Sequence, residues 1–216
     1  MYMKQSRLDQ LADGIFAIVM TILVFELRLP EYAGIMTEHG LINSLLEMAP
    51  LFLSYLLSFS LLFTYWKSHH LIASVFAKNI DTRFSNLNGV FFFFVALVPF
   101  SARLLGQYAN YETAIIIFAL NIILIGISLF RMRSYVIKSR TIENIPFTKK
   151  ENEHANMHIL FPVAAAIFAI GVSFFSYSLA LSLFTVAILF NLSGRGIRYT
   201  FFLIDLFRGK QIEETI

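Results

Sequence analysis

Apolar residues lie along the chain in long blocks separated by short polar stretches, and these blocks predict membrane-spanning helices. The first block, 11–26, is the least apolar. Asp13 and Glu26 lie near its ends, and the short run between them, residues 14–25, is uncharged. As a helix this run covers roughly 18 Å, against about 30 Å of hydrocarbon in a bilayer. The last block, 159–192, has no charge and is too long for one span, so it predicts two helices joined near residues 175–178.

The pattern therefore predicts an all-α integral membrane protein with six spans in a single domain, residues 1–216. The predicted spans are about 11–29, 49–70, 86–106, 112–131, 158–175 and 177–194. Residues 30–47 are predicted to form a loop, 131–157 a cytoplasmic linker and 195–216 a cytoplasmic tail. Pro99 predicts a kink in the third span.

Composition supports a membrane protein. Apolar residues make up 57% of the chain and charged residues only 14%, whereas a soluble domain has roughly 25% charged residues. The sequence contains no cysteine, which excludes disulfides, thiolate metal ligands and a catalytic thiol within it.

The basic residues predict the orientation in the membrane. Most of the 17 Lys and Arg residues precede the first span, follow the sixth, or lie between the second and third or the fourth and fifth. Only Arg28 and Arg103 fall on the other side. The positive-inside rule then makes both termini cytoplasmic, in a multi-pass protein of the cytoplasmic membrane. The same distribution accounts for the net charge of +3 without a nucleic-acid partner.

Charged residues also distinguish the first span from the others. Arg7, Asp13, Glu26 and Arg28 near its ends are costly in hydrocarbon unless they form pairs, reach the interface, or face protein or water. We therefore expect this helix to be surrounded by other helices or to line an aqueous path.

Three stretches resemble a known family. Residues 7–18, RLDQLADGIFAI, are similar to the first helix of bacterial members of the endolysosomal potassium channel family, transmembrane protein 175. That family begins with Arg, three residues and Phe-Ser-Asp, and Leu11 and Ala12 replace its Phe and Ser. Residues 65–70, YWKSHH, resemble its Trp-x-x-His-His motif, and residues 88–100 resemble its third helix. The second half of the chain matches only in hydrophobic pattern and helix count.

The resemblance implies a homotetramer in which the first helix of each subunit lines a central pore selective for potassium over sodium. The filter would consist of side-chain rings, unlike the carbonyl filter of other potassium channels. The narrow apolar ring would fall on Ile18, followed by Ile22 and Phe25, with Thr21 beside them. Apolar residues at this i, i+4, i+7 spacing are also typical of ordinary helix packing.

Polar residues cluster near the predicted cytoplasmic ends of the first three spans. We expect an inter-helix network that positions the pore helix and takes part in gating; its members are Arg7, Asp13, Trp66, His69, His70 and Asn88. The alternative is that these side chains simply reach the headgroup region. Because His69 and His70 are adjacent on a helix, they point to different faces, which argues against one shared metal.

The sequence thus predicts a potassium-selective cation channel without enzymatic activity or cofactor. Its partners would be potassium ions, the lipid bilayer and further copies of the chain. Two alternatives remain open. One is a proton-conducting channel that uses Asp13 and the histidine pair as a relay, and the other is a secondary transporter for a small solute.

Overall fold

Helices joined by short turns make up the part of the chain that the computed structural model describes, residues 5–29, 37–77, 79–142 and 149–192. The helices are α1 (Gln5–Ile22), α2 (Glu38–Glu47), α3 (Ala49–His70), α4 (Thr82–Ala96), α5 (Val98–Gln107), α6 (Glu112–Lys138), α7 (Lys149–Ser173) and α8 (Tyr177–Leu192). A 3₁₀ turn, Leu23–Glu26, continues α1, and a π-helical turn, Leu71–Phe76, continues α3. The all-α membrane class predicted from the sequence is confirmed.

Within the described residues, five helical segments are long and apolar enough to cross a bilayer. They are Gln5–Glu26, Ala49–Ser74, Thr82–Gln107, Glu112–Lys138 and Ala155–Ser173. The helix α8 is apolar but shorter. The second predicted span, 49–70, has the same bounds as α3, which begins with a proline in its first turn, where the missing N–H costs nothing.

The third span is divided at Leu97, two residues before Pro99. Helix α4 ends at Ala96 and α5 begins at Val98, with the proline in its first turn. Because proline lacks an N–H, it cannot donate to the carbonyl four residues earlier, and the helix is interrupted. The kink predicted at this position is therefore a break between two helices.

Two predicted irregular segments are partly helical. The predicted loop 30–47 contains α2, where Thr37 caps the helix by accepting a hydrogen bond of 3.2 Å from the Gly40 N–H. The predicted linker 131–157 is helical at both ends, because α6 continues to Lys138 and α7 begins at Lys149. Met132, Arg133 and Val136 are buried against neighbouring helices, and this packing extends α6 beyond its apolar run. The predicted tail 195–216 lies outside the described residues.

Close helix packing depends on two glycines. A Cβ at Gly126 of α6 would lie 2.2 Å from Val163 Cγ2 on α7, and a Cβ at Gly106 of α5 would lie 2.9 Å from Leu51 Cα on α3. Since real side chains do not approach so closely, these positions require glycine. The glycines let α7 pack on α6 and α5 pack on α3, and α1 lies on the outside of this bundle against α3 and α4.

Candidate ion pathway

Helix α1 has one buried face. Its buried residues follow at intervals of three and four positions and form a single stripe: Leu8, Ala12, Phe16 and Val19, continued by Leu23 in the 3₁₀ turn. Phe16 packs 5.9 Å from the Phe91 ring of α4, measured between ring centroids. The buried face therefore attaches α1 to the rest of the chain.

The opposite face of α1, here called the exposed stripe, consists of Gly14, Ile18, Thr21, Ile22 and Phe25. Ile18 is 58% exposed, Ile22 40% and Phe25 64%. An apolar face of this size within one chain must meet either lipid or other protein chains. All four residues predicted to line the pore lie on it.

Thr21 donates its hydroxyl proton within its own helix. The Oγ1 atom lies 2.9 Å from the carbonyl oxygens of both Ala17 and Ile18. Cations are coordinated by oxygen lone pairs and not by the proton. The Thr21 oxygen therefore keeps its capacity to contact a cation beside the exposed stripe.

The 3₁₀ turn changes the far end of the exposed stripe. In a 3₁₀ turn, side chains three residues apart eclipse each other, so Phe25 lies more nearly over Ile22 than in a regular α-helix. Glu26 at the end of the turn forms an ion pair with Arg103 of α5, with Nε and Oε2 3.6 Å apart. This pair joins the end of the first span to the third.

Two hydrogen bonds join α1, α3 and α4 at the other end of the first span. Trp66 Nε1 donates to Asp13 Oδ1 at 2.8 Å, and His69 Nε2 lies 2.6 Å from Asn88 Oδ1. The Asn88 amide nitrogen donates to the Phe84 carbonyl at 2.8 Å, so its oxygen is the acceptor and His69 Nε2 carries the proton. The structure thus brings Asp13 to Trp66 and His69 to Asn88.

The two adjacent histidines have different surroundings. His69 is buried and its ring is stacked on Phe91, with centroids 5.3 Å apart and planes inclined by 7°. His70 is exposed, stacks on Trp66 and shares a 3.1 Å hydrogen bond with the Ser74 hydroxyl. Among the described residues no group of three or more His, Cys, Asp or Glu could hold a metal ion.

Arg7 makes no contact with this network among the described residues. Its side chain is exposed, and among the described residues it has no hydrogen bond or ion pair. The residue that attaches the start of α1 is Gln5, whose amide nitrogen donates to the Ala73 carbonyl at 2.6 Å. Ala73 lies in the π turn, and no sequence pattern indicated that turn. Ala12, which replaces the serine of the family pattern, is buried and supplies no hydroxyl.

A second polar cluster, not predicted from the sequence, joins α4 to the end of α6. Asp81 caps α4 by accepting a 2.8 Å hydrogen bond from the Phe84 N–H, and it also accepts hydrogen bonds from Tyr135 and Thr141. Burial tends to raise the pKa of Asp81, but the three hydrogen bonds and the nearby Arg83 outweigh it and lower the pKa. An aspartate just before an apolar helix is a typical N-cap, so that part of the cluster had a sequence signal; Tyr135 had none.

Known proteins with similar sequences are potassium channels. A family model described as TMEM175, endosomal/lysosomal potassium channel, matches residues 7–99. A potassium channel from Chamaesiphon minutus is 36% identical over 111 residues, covering 51% of this chain and 54% of that protein. A potassium channel from a Chryseobacterium species is 26% identical over 215 residues, covering 99% and 98%. The first match thus spans about half the length of that relative.

A solved structure has the same arrangement of helices. The crystal structure of a lysosomal potassium-selective channel TMEM175 homolog from Chamaesiphon minutus matches with a TM-score of 0.74 and 27% sequence identity. The match covers 87% of this chain and 95% of that one.

Proposed function

We propose that this chain is a member of the TMEM175 family and a potassium-selective cation channel whose pore is lined by α1 from four copies. The family model that matches residues 7–99 supports this. The observation that carries the proposal is the exposed stripe of α1. Ile18 and Phe25 are more than half exposed although they lie in a span already bracketed by charges. A ring of α1 helices would cover these residues and give the bracketing charges access to water.

Ile18 forms the constriction in this proposal. Four isoleucine side chains meeting on one axis make an apolar ring that excludes water, and an ion cannot pass where its hydration shell is lost without replacement. Small outward movements of α1 widen the ring and let a partly hydrated cation through. Opening then requires a movement of helices and no chemical step.

Thr21 provides the polar contact next to the ring. Its oxygen lies one helical turn beyond Ile18 and retains lone pairs. These lone pairs replace part of the hydration shell of the ion, which favours the cation with the smaller cost of dehydration, potassium over sodium. Ile22 and Phe25 extend the apolar lining toward the mouth.

The proposed pore also implies an assembly of several copies and an orientation in the membrane. We propose a homotetramer of six-span subunits in the cytoplasmic membrane, with both termini cytoplasmic. The basic-residue asymmetry of the sequence supports the orientation, and the solved homolog that matches most of the chain supports the helix arrangement within one copy. The network of Asp13, Trp66, His69 and Asn88 then lies at the cytoplasmic end, where it sets the angle of α1. Arg7 faces the axis or a neighbouring subunit in this arrangement. No enzymatic role is proposed.

The two alternatives have less structural support. A proton relay through Asp13 and His69 would have to pass Phe16 and Phe91, whose rings pack against the imidazole. A secondary transporter would use a polar site near the middle of the bilayer. Among the buried polar residues, Asn121 donates a 3.0 Å hydrogen bond to Ser101, which joins α6 to α5.

The proposal is tested by ion flux into liposomes that contain the purified full-length protein. Potassium and sodium flux are compared for the wild type, Ile18→Asn and Ile167→Asn. Ile167 on α7 is a matched control, since it is also 58% exposed and undergoes the same substitution. We expect a polar ring at position 18 to remove the barrier to water, so that sodium flux rises toward potassium flux, while Ile167→Asn keeps the wild-type ratio.

The other outcomes separate the alternatives. Equal ratios of sodium flux to potassium flux in Ile18→Asn and Ile167→Asn would refute a constriction at Ile18. Proton flux without potassium, abolished by Asp13→Asn, would favour the proton channel. Solute exchange without any ion flux would favour the transporter.

A further inference from the structure

A cavity of about 310 Å³ lies apart from the exposed stripe, between α3 with its π turn, α6 and α7. This volume is at the lower end of the range of about 300–1,000 Å³ that is typical of ligand sites. Lys67 and Ser68 line it from α3, Arg133 from α6 and Ile159 from α7. Thr64, Lys67, Ser68 and Leu71 share one helix face, because they follow at i, i+3, i+4 and i+7.

Two cationic side chains border this cavity from different helices. Lys67 is exposed, and its ammonium lies 5.0 Å from the centroid of the Phe63 ring. Among the described residues it forms no ion pair. Arg133 is only 2% exposed and donates a hydrogen bond to Asn156 of α7, which orients the guanidinium at the buried wall. Cationic side chains that line one cavity from two different helices are suited to an anion.

The hydroxyl of Ser68 adds a polar contact. It lines the cavity and makes no hydrogen bond with another described residue. The remaining wall is apolar and includes Leu71, Ile72 and Ile159. The lining thus combines cationic and hydroxyl donors with apolar side chains, which matches a ligand that carries a phosphate on an apolar body.

The position in the spans points to the same ligand class. Lys67 lies near the end of the span Ala49–Ser74, and Arg133 near the end of the span Glu112–Lys138. Both therefore lie close to one membrane surface, at the level of lipid headgroups. Basic pockets between spans at such a surface bind anionic lipid headgroups.

We propose that the cavity bordered by Lys67, Ser68 and Arg133 binds the phosphate group of an anionic ligand at the membrane surface. A phosphatidylglycerol-type lipid fits the cavity because its glycerol and upper acyl carbons match the apolar wall. Free phosphate shares the recognised group and is the alternative source. The proposal concerns binding and does not depend on what the protein conducts.

The test is thermal unfolding of the full-length protein in a neutral detergent at constant ionic strength. The added probes are dioctanoyl phosphatidylglycerol, dioctanoyl phosphatidylcholine and sodium phosphate. The variants are Lys67→Gln and, as a matched control, Arg131→Gln, because Arg131 is exposed on α6 but does not line the cavity. Arg133 is left unchanged, since its burial makes a folding defect the expected result of substitution.

We expect phosphatidylglycerol to raise the Tm of the wild type and of Arg131→Gln, while phosphatidylcholine does not. In Lys67→Gln the phosphatidylglycerol concentration that gives half of the maximal Tm shift should rise about fivefold, because one lysine contact is lost. If sodium phosphate gives the same Lys67-dependent shift, the site takes a soluble anion. The proposal is overturned if neither anionic probe shifts the Tm, or if phosphatidylglycerol and phosphatidylcholine shift it equally. It is also overturned if Lys67→Gln shows the same Tm shift as the wild type, or if Arg131→Gln loses as much of the shift as Lys67→Gln.

Discussion

The indole nitrogen of Trp66 donates a 2.8 Å hydrogen bond to the carboxylate of Asp13 and so joins α3 to α1. These residues are 53 positions apart in the chain, and their contact holds the helix that carries the exposed stripe against its own subunit. A bond between a neutral donor and a charged acceptor is stronger than a neutral one. This pair is therefore one of the contacts that hold α1 against α3, together with the buried face around Phe16.

Loss of this hydrogen bond should lower the free energy of unfolding, and the effects of substituting its two partners should not be additive. We expect Trp66→Phe, which keeps an aromatic ring next to Phe63 and His70, and Asp13→Ala, which removes the acceptor, each to lower the free energy of unfolding by about 1 kcal/mol. The double variant should lose less than the sum, with a coupling of at least about 0.5 kcal/mol. Chemical denaturation in detergent measures this cycle. Trp66→Phe combined with Glu112→Gln is the control and should be additive; additivity of the Asp13 cycle would contradict the contact.

The buried pair of His69 and Asn88 should respond differently to single and double substitution. Asn88→Leu leaves the imidazole N–H without an acceptor in an apolar environment, which should cost about 1–3 kcal/mol. His69→Phe together with Asn88→Leu removes both partners and fits the surrounding ring cluster of Phe16, Phe91 and Phe92. We therefore expect the double variant to unfold at a higher temperature than Asn88→Leu alone. The reverse order would show that the histidine does not depend on this hydrogen bond.

Gly126 should not tolerate even one added methyl group. A Cβ there would lie 2.2 Å from Val163 Cγ2, so Gly126→Ala forces α6 and α7 apart and should destabilise the protein by about 1–3 kcal/mol. Gly171→Ala on α7 is the matched control, because a Cβ there meets nothing within 4 Å, and it should leave stability unchanged or raise it. Melting curves in detergent compare the two variants, and equal Tm values would argue against this helix contact.

Asp81 should make stability depend on pH in the acid range. Its pKa is lower in the folded protein than in the unfolded chain, so its contribution is present above the ordinary aspartate pKa of about 3.9 and is lost as the pH falls through the lower folded value. We expect Asp81→Asn, which keeps a capping side chain, to reduce the Tm at pH 7. The difference from wild type should shrink as the pH falls below about 4. Parallel Tm curves for the two proteins across this range would contradict the role of the ionised carboxylate.

Local patterns in the sequence predicted much of the helical framework. Helix α3 extends from Ala49 to His70, and local signals mark both ends: a proline in its first turn and the polar residues up to His70. The different surroundings of His69 and His70 follow from helical periodicity, and so does the common face of Ile18, Thr21 and Phe25. Each of these features depends on residues within one or two turns of each other.

Other features needed contacts between distant segments. Residues 131–138 are polar enough to suggest a linker, yet packing of Met132 and Val136 keeps them in α6. The capping of the π-turn carbonyls by Gln5 joins residues 68 positions apart. Arg7 was expected in the same network as Asp13, but its side chain is exposed and forms no hydrogen bond or ion pair with another described residue.

The sequence alone determined that this chain is a helical membrane protein with one short, charge-bracketed span, because hydrophobic run length and charge position are properties of neighbouring residues. The tertiary structure decided which polar residues meet, where α6 ends, and that Lys67 and Arg133 border one cavity. Those outcomes depend on close packing around residues such as Gly126. Packing of this kind involves helices from distant parts of the chain, so neighbouring residues alone do not determine it.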